Sequence, residues 1–207
     1  AGSYGTTKAE IGAQGQLDGL GYVIDTTRLK TDGYRDHSAA TREQAFAKIV
    51  SRPDDDSKLT FVVNGFWQRA QDPLGLDWAS YQSNPKGVVK SALDYNTRKS
   101  IDHLQGGVAY ERRLGADLLQ LSAYTGQRSV IQYQAIPSTV QANPRHSGGV
   151  IDFDRNFYGV GARYIAVRQV ADGKLTTTAG IDYDASTDQR YGYENYIGTT
   201  LGVKGKL

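Results

Sequence analysis

Alternation of apolar and polar side chains with a period of two residues constrains this chain more than any other feature. In Lys58–Gln68 one parity carries Leu59, Phe61, Val63, Gly65 and Trp67, and the other carries Thr60, Val62, Asn64, Phe66 and Gln68. In Lys174–Ala185 the split is cleaner, with Leu175, Thr177, Ala179, Ile181 and Tyr183 set against Thr176, Thr178, Gly180, Asp182 and Asp184. A helix would scatter these residues around its circumference, whereas a pleated strand sorts them onto two faces. The pattern recurs in Thr7–Gln14, Leu20–Arg28, His103–Arg112, Ala116–Gln127 and Phe157–Arg168. It is weakest in Arg42–Val50, where Phe46 and Val50 share a parity with Gln44 and Lys48. These segments predict roughly eight strands, each near the length of about 9–11 residues that crosses a bilayer at a tilt.

The connections separate a membrane barrel from a soluble sandwich. Short turns are expected at Leu17–Gly19, Arg52–Ser57, Leu114–Asp117 and Ala171–Lys174, two of them containing Asp-Gly (Asp18-Gly19 and Asp172-Gly173), which suits a tight hairpin. Between them lie long polar connections at Thr31–Thr41, Arg69–Arg98 and Arg128–Val150, and another is expected after Ser186. Short and long links alternate, as in outer-membrane barrels with short periplasmic turns and long extracellular loops. A sandwich has no reason to gather every long loop at one end.

Composition agrees. Only 39% of residues are apolar and no run approaches the roughly 18 apolar residues of a membrane helix, but a barrel needs apolar side chains only at alternate positions. The 24 Gly and 14 Tyr, against 5 Pro and 2 Trp, favour strands and wet interfaces over helices. Absence of cysteine excludes disulfides and thiolate metal sites, and a net charge of +2 implies no bulk attraction to nucleic acid. The lack of Met and of an apolar signal-peptide core suggests a piece of a longer protein.

Three stretches resemble TonB-dependent outer-membrane receptors. Thr31-Asp32-Gly33-Tyr34-Arg35-Asp36-His37-Ser38-Ala39 resembles the first extracellular loop of many members, and Gln71-Asp72-Pro73-Leu74-Gly75-Leu76 resembles a segment of the second. Asn96-Thr97-Arg98-Lys99-Ser100, leading into Gly107-Val108-Ala109-Tyr110-Glu111-Arg112, resembles the returning strand. Within the family the likeness is to receptors of the ferric-siderophore type. It implies an all-β, antiparallel, up-and-down barrel of about 22 strands around a plugged lumen, of which this chain supplies about a third. Residues 1–207 would then be the N-terminal part of the barrel domain, with Ala1–Gly5 just after the plug. The plug domain, the TonB-contacting segment and the terminal aromatic residue read by assembly machinery would be missing, Leu207 being no such residue.

Candidate site residues follow from parity and loop position. Lys8, Glu10, Asp25, His103, Glu111, Arg163, Asp182 and Asp184 are expected to face the lumen, toward the plug or its water, because a Lys or Arg facing lipid at the midplane costs about 2–4 kcal/mol. Tyr22, Trp67, Tyr110, Tyr158 and Tyr183 fall on the lipid parity as an aromatic girdle, and Tyr191, Tyr193 and Tyr196 are read as interface anchors. Trp78 and Tyr81 in the second long loop, and Arg128, Tyr133, Arg145 and His146 in the third, are the candidate ligand contacts. Arginine and aromatic rings suit a ferric chelate, which presents anionic oxygens and flat rings. The three histidines, His37, His103 and His146, lie far apart without helical spacing, so no intrinsic metal site or cofactor is expected and iron would arrive already chelated. Gly159-Val160-Gly161 is too short for a dinucleotide fingerprint, and neither G-x-S-x-G nor H-E-x-x-H occurs.

The resemblance therefore implies a non-enzymatic receptor in the bacterial outer membrane, surrounded by its lipid. It would take up a ferric siderophore with energy passed from TonB to the absent plug. Two alternatives remain open. One is a small structural or porin-like barrel filled by its own side chains. The other is a hydrolase at the barrel rim, for which His37 beside Asp36, or His146 beside Ser147, is the only material. Neighbours on a strand point to opposite faces, which weighs against such a dyad.

Overall fold

The computed structural model describes residues 1–196 and 199–204, with Leu207 outside them. The strands are β1 (Thr7–Leu17), β2 (Leu20–Thr31), β3 (Ala40–Asp54), β4 (Ser57–Gln71), β5 (Arg98–Leu114), β6 (Asp117–Tyr133), β7 (Val150–Val170), β8 (Gly173–Asn195) and β9 (Leu201–Lys204). They form one antiparallel sheet in chain order. All eight predicted strands are present and β9 is a ninth. The long connection expected after Ser186 is not found, because β8 continues to Asn195 before β9 begins. Three short helices, α1 (Trp78–Ser83), α2 (Lys90–Asp94) and α3 (Ser138–Gln141), sit in the long links.

Links at one rim are tight. Asp18 and Gly19 both take positive φ (45° and 79°), the conformation a two-residue hairpin needs to match strand twist. At the β7–β8 hairpin the positive φ falls on Ala171 (48°), one residue ahead of the Asp172-Gly173 pair singled out by sequence. The three long links, 32–39, 72–97 and 134–149, lie together at the opposite rim.

Directly paired residues of an antiparallel ladder project to the same face, so the register sorts the whole sheet. One row reads Gly15, Tyr22, Ile49, Phe61, Val108, Ala123, Val160 and Tyr183. The adjacent row, on the other face, reads Gln14, Val23, Lys48, Val62, Gly107, Tyr124, Gly159 and Asp184. The charged set from Lys8 to Asp184 falls entirely on this second, polar face, and Tyr22, Trp67, Tyr110, Tyr158 and Tyr183 fall entirely on the first. The ambiguous strand resolves too: Ala45, Ala47 and Ile49 form the apolar stripe of β3, while Phe46 and Val50 share the polar face.

The apolar side chains are not packed under a second layer. Ile11 and Ile181 are 75% and 74% exposed, and the buried apolar residues among those described are Ala92, Ile101 and Val150, at or near the long-loop rim. An uncovered apolar face this continuous calls for lipid rather than water. Its height fits: Leu175–Ala185 measures roughly 33 Å along the strand and about 25 Å along the normal at a tilt near 40°. The apolar band also crosses the hydrogen-bonded rows obliquely. The row through Ala9 on β1 arrives at Gln189 on β8, beyond the end of the β8 apolar run at Ala185. Tilted strands against a slab of fixed thickness give this slant.

Candidate functional site

Above the apolar band the long links fold onto one another. Arg35 donates from Nε to the Gly87 carbonyl (2.9 Å), from Nη2 to the Pro73 carbonyl (3.2 Å), and from Nη1 to the Leu74 carbonyl, so the first long link is pinned to the second. The Asp36 amide donates to the Lys86 carbonyl (2.9 Å), and the His37 Nε2 lies 2.8 Å from the Thr97 carbonyl. Lys86 Nζ sits 5.6 Å and 5.9 Å from the rings of Tyr4 and Tyr34, which meet edge to face. Residues 1–6 are thus held at the long-loop rim, where the Asp32 amide donates to the Tyr4 carbonyl (2.9 Å).

The third long link joins the second through a buried amide. Gln141 Nε2 donates to the carbonyls of Ile136 (2.6 Å) and Asn195 (2.9 Å), while its Oε1 accepts from the Asn195 amide (2.6 Å). Asn195 Nδ2 donates to the Tyr95 carbonyl (2.9 Å), and the Ser138 amide donates to the Tyr95 hydroxyl (3.0 Å). Loops of this kind are held by polar contacts because they lack an apolar core of their own, although the buried Asn195 Oδ1 is left without a partner among the described residues.

Below this platform the polar face of β5–β8 carries a basin of about 410 Å³ lined by His103, Tyr124, Arg128, Arg155, Phe157 and Asp184. His103, Arg128, Arg155 and Asp188 follow one another in a single row. Arg155 forks onto Asp188, with both N–O distances 2.7 Å. Arg128 has no ion pair or hydrogen bond among the described residues, so its guanidinium is free to meet an anion. The floor is aromatic: His103 stacks on Phe157 (5.9 Å, 13°) and Tyr124 tilts against the same ring (6.2 Å), donating its hydroxyl to Asp184. Glycine makes room for both rings, since a Cβ at Gly126 would lie 2.4 Å from Phe157 Cζ and one at Gly159 would lie 2.5 Å from Tyr124 Cε1.

The six sequence candidates do not converge. Trp78 and Tyr81 stack on each other in α1 (5.6 Å, 22°) and are 69% and 50% exposed. Arg145 and His146 lie in the third link, where His146 Nδ1 accepts from the Gly148 amide (3.1 Å). Arg128 and Tyr133 are not loop residues, because β6 continues to Tyr133. Hydrogen-bonded pairing does not stop where apolar side chains do, so alternation alone underestimates strand length. Tyr133 lies on the apolar-face parity under the Arg98 guanidinium (3.4 Å), turned away from the basin. Tyr124 and Phe157, which line the basin, are not among the six, and their only signal in the sequence is a bulky ring on the polar parity two residues before a glycine. Neither candidate dyad is joined by a hydrogen bond among the described residues: the His37 Nε2 lies against the Thr97 carbonyl and the His146 Nδ1 accepts from the Gly148 amide. Among the described residues no group of three His, Cys, Asp or Glu side chains could hold a metal ion.

An up-and-down antiparallel sheet, apolar on one face and polar on the other, with tight turns at one rim, is the wall of a membrane β-barrel. Among solved structures the chain is similar to the ferric citrate transporter FecA in its unliganded form, with a TM-score of 0.77 and 16% identity over 96% of this chain and 29% of that one. The chain thus spans less than a third of that transporter's length, and at this identity the likeness establishes the fold. No family model matches the chain.

Proposed function

We propose that this sheet is part of the barrel wall of an outer-membrane receptor that imports a metal chelate, a ferric siderophore or a similar ferric complex. The polar face lines the lumen, the apolar face meets lipid, and the long-loop platform opens to the exterior. Energy arrives through TonB by way of a plug domain belonging to the remainder of the protein. Support for the transport class comes from the barrel-wall likeness to a ferric citrate transporter. The observation that carries the ligand class is Arg128, unpaired above an aromatic floor and beside the neutralised Arg155–Asp188 fork. A chelate with anionic oxygens and flat rings finds both a guanidinium and ring faces there.

The test is uptake of radiolabelled iron by cells lacking the gene and supplied with the intact protein or its Arg128→Ala variant. Uptake should return with the intact protein, and the variant should bind its chelate about tenfold more weakly, as loss of one charge-assisted hydrogen bond predicts. Unchanged uptake of every ferric chelate tried, with and without the gene, refutes the assignment.

A further inference from the structure

On the apolar face, the rows nearest the long-loop rim change character. Lys30, Thr41, Arg69 and Ser100 follow one another across β2–β5 in a single row, and Arg98 stands one pair closer to the loops. They border an open basin of about 390 Å³. Arg69 is committed to Asp102 through a two-bond fork (2.9 and 2.8 Å). Lys30 has no ion pair or hydrogen bond among the described residues. Arg98 gives one N–H to the Asn96 carbonyl (2.8 Å), and its stacking on Tyr133 fixes the guanidinium plane. Asp32 stands at the edge of the basin without an ion pair to either cation.

Two cations without carboxylate partners, with hydroxyls between them, form an anion site by charge and donor chemistry. What lies beneath narrows the occupant. The column descends through Trp67 and Asp102 to Leu104 and Val63, which are 42% and 48% exposed on the same face. A ligand that fills the basin is therefore continuous with the lipid-facing band. We propose that this basin binds the phosphate-bearing sugar head group of a lipid in the outer leaflet. Lys30 and Arg98 take its phosphate oxygens, Thr41 and Ser100 bond its hydroxyls, and its acyl chains run down the apolar rows. The assignment rests on the outer-membrane orientation proposed above.

The intact protein in detergent, offered diphosphorylated lipid A, tests this by native mass spectrometry. The unsubstituted protein should retain the lipid, and Lys30→Gln/Arg98→Gln should retain it about 25-fold less, roughly fivefold for each basic residue near an anionic surface. Lipid A stripped of phosphate should be retained by neither protein, while a shell of phosphatidylethanolamine should be equal in both. Equal retention of diphosphorylated lipid A by the double variant overturns the site. Its displacement by millimolar inorganic phosphate also does, making the basin a free-anion site. Loss of the phosphatidylethanolamine shell from the unsubstituted protein removes the membrane reading itself, a failure separate from that of the basin.

Discussion

Single side chains hold the long-loop platform together. Gln141 is 2% exposed and uses both ends of its amide, so truncation strands the Asn195 amide and carbonyl away from water. Gln141→Ala should therefore cost about 1–3 kcal/mol, read as faster hydrogen exchange at Asn195 and easier proteolytic nicking of residues 134–149. Unchanged exchange there would show that another group holds the third link. Asp77 works at the surface. Its side chain accepts from the Ser80 amide (2.7 Å) and caps α1, and that backbone hydrogen bond, followed by one from the Ser80 hydroxyl, holds its carboxyl below the usual carboxylate range. A depressed folded-state pKa means the cap contributes fully above the unfolded value and is lost as pH falls through the folded one. Ser80 amide protection should fall on acidification, and Asp77→Ala should abolish that pH dependence.

At the level of the strand, one-residue alternation decides what a substitution does. Val63 and Asn64 are adjacent in β4, yet Val63 pairs with Ala47 and Gly106 on the apolar face while Asn64 pairs with Phe46 and Gln105 on the polar one. Val63→Arg should destabilise the folded barrel by about 2–4 kcal/mol, as a cation near the midplane does, whereas Asn64→Arg should stay within about 0.5 kcal/mol. Urea unfolding in micelles measures both, and equal effects would mean the two faces are not in different solvents. This two-solvent pattern is also why the strands could be read from sequence, in Lys174–Ala185 most plainly. Arg128 and Tyr133 escaped because their part of β6 rises past the band, where neither face needs to be apolar. The basin escaped for a different reason: His103, Tyr124 and Phe157 belong to three strands, and only the register brings their rings together.

For the molecule as a whole, the edges matter most. Among the described residues β1 pairs only with β2, so its other side presents unpaired backbone groups. The 207-residue chain expressed alone should associate into oligomers in detergent, seen by sedimentation. A heat-modifiable monomer would instead identify a small closed barrel. The oblique apolar band carries a further geometric result. A wall with that pitch is threaded like a screw, so following one ladder rung once around the cylinder returns to the starting strand at a different height. Any cylinder closed from this wall would therefore have a seam staggered along its axis, with the strand that met β1 displaced rather than level.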